Sequence, residues 1–270
     1  MHIKDFTPKD TARIAPLQPA DWPPITEVFQ WYLDHTGILP VKAEMDGRLC
    51  AIGAAVLYES TGWLAHIITH PAYRRQGIAF SIVQELIERL HRENCTSISL
   101  FATEEGAPLY MKAGFRRDTR YRFFRAPEKP HGDIPVQQPN IRIASDSEHR
   151  DILELDFRAS GENRRSILAP ELPNAVVYHN SGRIQGYFLP SLAEGPVIAE
   201  TPDAARALLR HKTHNTSLSK STVPTENTMA ADLLIETGWT ETMQADRMIL
   251  GDPIPYRPEL IFSRIAGNLG

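Results

Sequence analysis

The stretch HIITHPAYRRQGIAFSIVQELIERL, His66 to Leu90, changes character twice. It opens apolar and β-branched, as a buried strand does. Pro71 stops that run, because proline has no N–H to offer a ladder. Arg74 and Arg75 then lead to Gly77. From Ser81 to Arg92 the residues Ile82, Leu86, Ile87 and Leu90 recur at helical spacing, with Glu85, Glu88 and Arg89 on the opposite face. The stretch therefore reads as strand, basic turn, helix. A helix start leaves backbone N–H groups unpaired and carries about half a positive charge. A glycine there lets a ligand approach the backbone, and the turn suits an anion, phosphate best. The residues alone leave a second reading open, an exposed basic turn before an ordinary helix.

Elements on both sides follow an α/β pattern. The first ten residues read as a loose lead and TARIAPLQ as a strand. PADWPPITEVFQWYLDHTG reads as a helix that starts after its prolines and stops at Gly37. VKAEMDGRLCAIGAAVLYE is a hairpin turning at Asp46-Gly47. SISLFAT is a strand, GAPLYMKAGF a helix ending at Gly114, and RRDTRYRFFRA a strand. PEKPHGDIPVQQPN, residues 127–140, has four prolines and no periodicity, and reads as a linker. Beyond it the order returns. VVYHNSGRIQGYFLPS mirrors the first hairpin, TPDAARALLRHK is a helix, SLSKSTVP a strand, NTMAADLLIETGW a helix ending at Gly238, and DRMIL a strand. DGRL matches SGRI and YMKAGF matches LIETGW in the same order, which predicts a duplicated unit.

Composition narrows the function classes. The 270 residues are 42% hydrophobic, enough for two cores. A net charge of −4 lacks the clustered basic excess of a nucleic-acid binder. No apolar run is long enough to span a membrane, and MHIKDFTPKDTARIAPLQ has none of the apolar run of a signal peptide. Cys50 and Cys95 make no metal pattern and read as reduced thiols of a cytoplasmic protein. The ten histidines show no zinc spacing.

HPAYRRQGIAFSIVQELI resembles the signature of the GNAT superfamily of acyl-CoA-dependent N-acyltransferases. The family pattern Gln/Arg-x-x-Gly-x-Gly/Ala appears as Arg74-x-x-Gly77-x-Ala79, preceded by His70-Pro71 and Tyr73-Arg74. APLYMKAGF resembles a second family motif, Leu109-Tyr110-x-x-x-Gly114-Phe115. The resemblance covers roughly residues 11–126. Thr103 departs from the asparagine of many members. ATEEGAPLY instead resembles a branch that carries a second, diverged GNAT-like domain, which residues 141–270 resemble in the order of their motifs.

The resemblance implies two tandem domains, 11–126 and 141–270, joined by the 127–140 linker. Each is expected to be a mostly antiparallel mixed sheet flanked by helices. Acetyl-CoA is expected in a wedge where the fourth and fifth strands splay apart. The amides of Ile67, Ile68 and Thr69 are expected to pair with the pantetheine arm and acetyl carbonyl. The turn Arg74, Arg75, Gln76, Gly77, Ile78, Ala79 and Phe80 is expected to hold the pyrophosphate. Asp203 at the matching helix start of the second unit opposes a pyrophosphate there, so one donor per chain is expected. The reaction implied is acetyl transfer to an amine, with a small-molecule acceptor and a chain acting as monomer or homodimer. An acyl-CoA sensor without turnover, a longer acyl donor and a peptide acceptor are the alternatives.

Tyr110 is the family position for the acid that protonates the leaving thiolate, against the alternative of an aromatic wall for the donor. His66, on the strand leading to the donor, is the first candidate base, since an unperturbed histidine titrates near neutral pH. Glu59, the pair Asp34-His35 and water compete with it. In the second unit Asp156 and Arg164 read either as a binder of an amino acid-like group or as an internal ion pair. Asn227, like them, matches a position typical of the diverged domain, and on the ion-pair reading it is a helix cap.

Overall fold

In the computed structural model, residues 1–20, 22–128 and 140–270 are described, so most of the linker expected at 127–140 lies outside the described residues. The chain forms two compact units. The first comprises Met1–Arg117, Met248–Pro253 and Gly267–Leu269, the second Asp118–Arg247, Ile254–Ala266 and Gly270.

The first unit opens with β1 (His2–Asp5) in place of a loose lead, paired antiparallel with residues 41–44. TARIAPLQ is not a strand. Pro8–Arg13 and Ala15–Leu17 are short 3₁₀ turns. Asp10 accepts hydrogen bonds from the Thr7 N–H at 2.9 Å and the Thr7 hydroxyl at 2.7 Å, which closes a capping box. Ile14 and Leu17, three apart, both turn inward. Next come α1 (Ile25–Asp34), β2 (Ile38–Met45), β3 (Arg48–Tyr58), β4 (Thr61–Thr69), α2 (Ile78–Arg92), β5 (Ser97–Ala102) and α3 (Ala107–Lys112). The strands lie in the order β1-β2-β3-β4-β5, all antiparallel except β5 beside β4.

The helix α2 starts three residues before Ser81, and Ile78, Ile82, Val83, Leu86, Ile87 and Leu90 cover the sheet. Its last turn holds Arg89, His91 and Arg92, which suits the negative end of the helix dipole.

The second unit contains most of β6 (Arg116–Arg125), then β7 (Ile141–Ile143), α4 (His149–Ser160), α5 (Arg165–Leu168), β8 (Val176–Asn180), β9 (Arg183–Phe188), β10 (Val197–Ala199), α6 (Pro202–Asn215), β11 (Lys220–Pro224) and α7 (Thr228–Glu236). It closes with β12 (Thr240–Gly251), whose residues from Met248 belong to the first unit, and β13 (Ile261–Ser263). One sheet runs β13-β10-β9-β8-β7, while β6 lies between β11 and β12.

The same local physics recurs in both units. The β2–β3 turn has left-handed Asp46 and Gly47 (φ 49° and 75°), and the β8–β9 turn left-handed Ser181 and Gly182 (φ 52° and 80°). Two positive-φ residues are what a tight hairpin requires. Both α3 and α7 end on a left-handed glycine followed by a buried aromatic. The Phe115 N–H reaches the Tyr110 carbonyl, and the Trp239 N–H the Leu234 carbonyl, each at 3.0 Å. These are matching Schellman ends.

Candidate active site

The site begins with a register change. Ala54 pairs with Ala65 and Ile52 with Ile68, so Gly53 faces two residues, His66 and Ile67. This is a β-bulge, and His66 takes the left-handed conformation it demands (φ 50°). Gly53 must be glycine. A Cβ there would lie 2.6 Å from Ile82 Cγ2 and 2.9 Å from Ile67 Cδ1.

On its other side β4 pairs with β5 only through Thr61, Gly62 and Trp63. Past Trp63 the two strands part, and the β4 edge from Leu64 to Thr69 opens into a fork. The rings of Trp63 and Phe101 stack at 5.4 Å where the strands separate. Two buried hydroxyls on these strands, Thr69 Oγ1 and Ser99 Oγ, have no partner among the described residues. Buried polar atoms are rarely left so.

Below the fork lies the basic turn. Arg75 and Gly77 are both left-handed (φ 64° and 81°). The first helical bond runs from the Ser81 N–H to the Gly77 carbonyl at 3.1 Å, so the amides of Ile78, Ala79 and Phe80 have no helical acceptor. No acidic residue stands in this first turn. Arg74 Nε donates to the Thr69 carbonyl at 3.4 Å, tying the turn to the end of β4, and Lys112 lies over the Phe80 ring. The matching start of α6 differs. Pro202 has no N–H, the Thr201 hydroxyl already accepts from the Ala204 N–H at 3.3 Å, and Asp203 adds a negative charge.

Tyr110, on α3, sets its ring edge-on to Phe115 at 6.0 Å, and burial pushes its hydroxyl up to about 12. His66 is half-buried. Its Nδ1 lies 2.6 Å from the Tyr32 hydroxyl, which in turn accepts from Asn268 Nδ2 at 2.8 Å. Trp22 and Phe29 meet the imidazole edge-on at 5.5 and 6.1 Å. Burial pulls the His66 pKa down to about 4 and raises that of Tyr32.

The competing bases lie elsewhere. Glu59 occupies the exposed turn at the opposite end of β4 from Thr69. Asp34 accepts from Gln30, and His35 stacks on Trp31 with its Nδ1 donating to the Trp31 carbonyl at 2.7 Å. Tyr32 and Asn268 escaped the sequence reading. Tyr32 carried only the helix-face signal of α1, and nothing local marks an asparagine 236 residues away.

In the second unit Asp156 and Arg164 bind each other. Nε and one terminal nitrogen of Arg164 reach the two carboxylate oxygens at 3.0 and 2.6 Å, and the Tyr187 hydroxyl donates to the same carboxylate. Both are buried, so this is an internal ion pair rather than an open binding site. Asn227 caps α7 through the Ala230 N–H at 3.0 Å. Among the described residues no helix is long and apolar enough to cross a membrane, and no group of three metal-ligating side chains forms.

A bulged strand, a forked parallel pair and a helix start with unpaired amides are the features the GNAT resemblance led one to expect, and comparison with known proteins gives the family. Residues 8–115 match the acetyltransferase (GNAT) family, and residues 152–263 match an acetyltransferase (GNAT) domain. The chain is 26% identical over 237 residues to the uncharacterized N-acetyltransferase YitH of Bacillus subtilis (strain 168), covering 83% of this chain and 78% of that protein. An acetyltransferase-type structure from Pyrococcus horikoshii superposes with a TM-score of 0.81 at 20% identity, over 100% of this chain and 95% of that one. A tandem GNAT protein from the clavulanic acid biosynthesis pathway gives 0.61 at 13% identity, over 93% and 98%. The chain belongs to the GNAT superfamily, with two GNAT domains in tandem, and is an acyl-CoA-dependent N-acyltransferase.

Proposed function

We infer that the protein transfers an acetyl group from acetyl-CoA to a primary amine of a small or amino acid-like acceptor by direct attack. The observation that carries this reading is the continuity of the open β4 edge with the left-handed turn at α2. Three free amides, two arginines and no carboxylate in the first helical turn suit a pyrophosphate. The amides of Ile67 and Thr69, on either side of Ile68, whose own N–H is taken up by its pairing with Ile52 and so does not serve the donor as expected, join the orphaned Thr69 hydroxyl in suiting the amide-rich pantetheine arm. The stacked Trp63 and Phe101 fill the fork, which favours a short acyl group.

In the reaction the acceptor nitrogen bonds to the acyl carbon, the carbon–sulfur bond breaks, and the amine gives its proton to water. Tyr110 supplies the proton to the departing thiolate and regains one from solvent. A phenol pushed up to about 12 stays protonated at any working pH, as that role needs. We place His66, on the bulge of the same strand, beside this centre.

Residues 11–126 carry this chemistry in our reading, and 141–270 shape the acceptor side or a homodimer contact. The α6 start, with one amide capped and Asp203 added, favours a single donor site per chain. The two free, buried thiols fit a cytoplasmic setting.

The test is thiol release from acetyl-CoA across a broad amine panel, with calorimetry for coenzyme A. Binding at one site per chain with thiol release from some amines is expected. Binding without release across the whole panel would make the chain a sensor.

A further inference from the structure

We propose that His66 acts as a hydrogen-bond donor through its Nε2–H, held in that tautomer by two positioning residues, Tyr32 and Asn268. This rests on placing acyl transfer at the β4 bulge.

The proton count runs along three side chains. The Asn268 amide nitrogen has only donors, so at 2.8 Å the Tyr32 oxygen accepts from it. The phenol has a single proton, and the neighbouring acceptor is His66 Nδ1 at 2.6 Å. Nδ1 must then present a lone pair. A neutral imidazole has one N–H, which is left on Nε2. No hydrogen bond within the described residues engages Nε2. The opposite tautomer would aim a second donor at the Tyr32 oxygen and strand the phenol proton. Tyr32 is fully buried, where stranded donors are rare.

Charge points the same way. Burial holds the imidazole neutral, and no carboxylate is bonded to it to stabilise an imidazolium. A ring whose one lone pair already accepts from Tyr32 is badly placed to take a proton from an amine. It is well placed to give a hydrogen bond. As the amine attacks, negative charge moves onto the thioester oxygen. A fixed, neutral N–H beside the β4 amides stabilises that charge without itself transferring a proton. The Trp22 and Phe29 rings, edge-on to the imidazole, limit its rotation.

Two measurements on the full chain decide this. Nitrogen NMR of imidazole-labelled protein reads the tautomer, with the His66 signals assigned by their loss in His66→Gln. The expected pattern is neutral Nε2–H with a hydrogen-bonded, unprotonated Nδ1, unchanged from about pH 5.5 to 8. Tyr32→Phe should shift Nδ1 toward a free imine nitrogen and mix the tautomers. Asn268→Ala should weaken the same bond. An Nδ1–H pattern in the wild type, as an end-for-end turn of the Asn268 amide would produce, overturns the relay.

Kinetics reads the role. Glutamine keeps an N–H donor in place of Nε2–H but has no basicity. His66→Gln should stay within about tenfold of wild-type kcat, while His66→Leu should lose about 10²- to 10³-fold. Tyr32→Phe should lower kcat with KM for acetyl-CoA unchanged. If His66→Gln is as slow as His66→Leu while both bind coenzyme A normally, the donor role is wrong. If the wild type releases no thiol on any amine, the enzymatic reading fails and the donor role falls with it. The NMR result still decides the relay by itself.

Discussion

Replacing Gly77 separates backbone, shape and charge at the proposed pyrophosphate turn. The residue sits at φ 81°, and a Cβ built there meets nothing within 4 Å. Gly77→Ala therefore costs only left-handed strain, about 1–2 kcal/mol, and in a chain of 270 residues that lowers Tm by about 2–4 °C. Gly77→Gln adds bulk over the free amides of Ile78 to Phe80, and Gly77→Glu adds the same bulk with a charge. A carboxylate at a helix start stabilises the helix by about 0.3–1 kcal/mol, so the glutamate variant should be no less stable than the glutamine one. Toward a pyrophosphate the sign reverses. Two like charges roughly 8 Å apart at an effective dielectric near 20 repel by about 2 kcal/mol. Two phosphate charges then oppose binding by about 4 kcal/mol before salt screening, or about 10²- to 10³-fold in affinity after it. Calorimetry with coenzyme A at low and high salt, alongside circular dichroism, measures each part. Alanine should weaken binding a few-fold, glutamine about tenfold, and glutamate a further 10²-fold or more that shrinks as salt rises. If Gly77→Glu and Gly77→Gln bind coenzyme A equally well at low salt, the phosphates are not at this turn.

Tyr110→Phe should keep donor affinity and lose about 10²-fold in kcat, the lower range for a general acid; unchanged kcat where chemistry limits the rate would leave the ring as an aromatic wall. Phe101→Ala should open the fork, raising kcat/KM for butyryl- relative to acetyl-CoA by about tenfold, since each buried methylene contributes about 0.8 kcal/mol; an unchanged ratio would place the acyl group elsewhere. Lys212 is buried among the carbonyls of Glu194 and Gly195 and the hydroxyls of Ser221 and Ser263, with Glu194 the carboxylate facing it. Burial pulls its pKa down to about 7, so the folded state holds fewer protons than the unfolded state from about pH 7 to 10.4. Stability should therefore rise with pH across that window, by up to about 1.4 kcal/mol per unit, and the difference between wild type and Lys212→Met in chemical denaturation should carry that slope. Asp156→Ala should leave buried Arg164 without its bidentate partner and with only Glu162 nearby, and cost about 3 kcal/mol, read as a fall in the denaturation midpoint.

What the sequence made legible was local. Asp46-Gly47 and Ser181-Gly182 each dictate a tight turn through their own backbone preferences, and the glycines ending α3 and α7 dictate their caps. The α2 face followed from periodicity. TARIAPLQ misled because its apolar spacing fits a strand as well as two 3₁₀ turns, and the Thr7–Asp10 box that decides between them starts upstream. At Gly77 the residue types alone left an anion cradle and an exposed basic turn both open, and only the resemblance of the surrounding motif favoured the cradle. The bulge at His66 could not, since it depends on what Gly53 faces across the sheet. Nor could the Tyr32–His66–Asn268 chain, whose members meet only after folding. Asp156 and Arg164 showed the right chemistry with two uses, and only burial separates an ion pair from a binding site.

The first unit takes in residues 248–253 and 267–269 as well as 1–117. During synthesis the ribosome releases the bulged strand, the turn at Gly77 and Tyr110 more than a hundred residues before Met248 and Asn268. Until then the nascent first unit lacks the end of β12, which lies beside β5, and His66 lacks its relay. The proposed acid and the proposed anion cradle are thus made early, while the proposed tautomer lock comes last. Such long-range closure slows folding and leaves β5 with an exposed edge in the meantime. A gene cut between residues 126 and 141 would not yield two independent halves. It would release a first product that lacks residues 248–253 and 267–269 of its own unit.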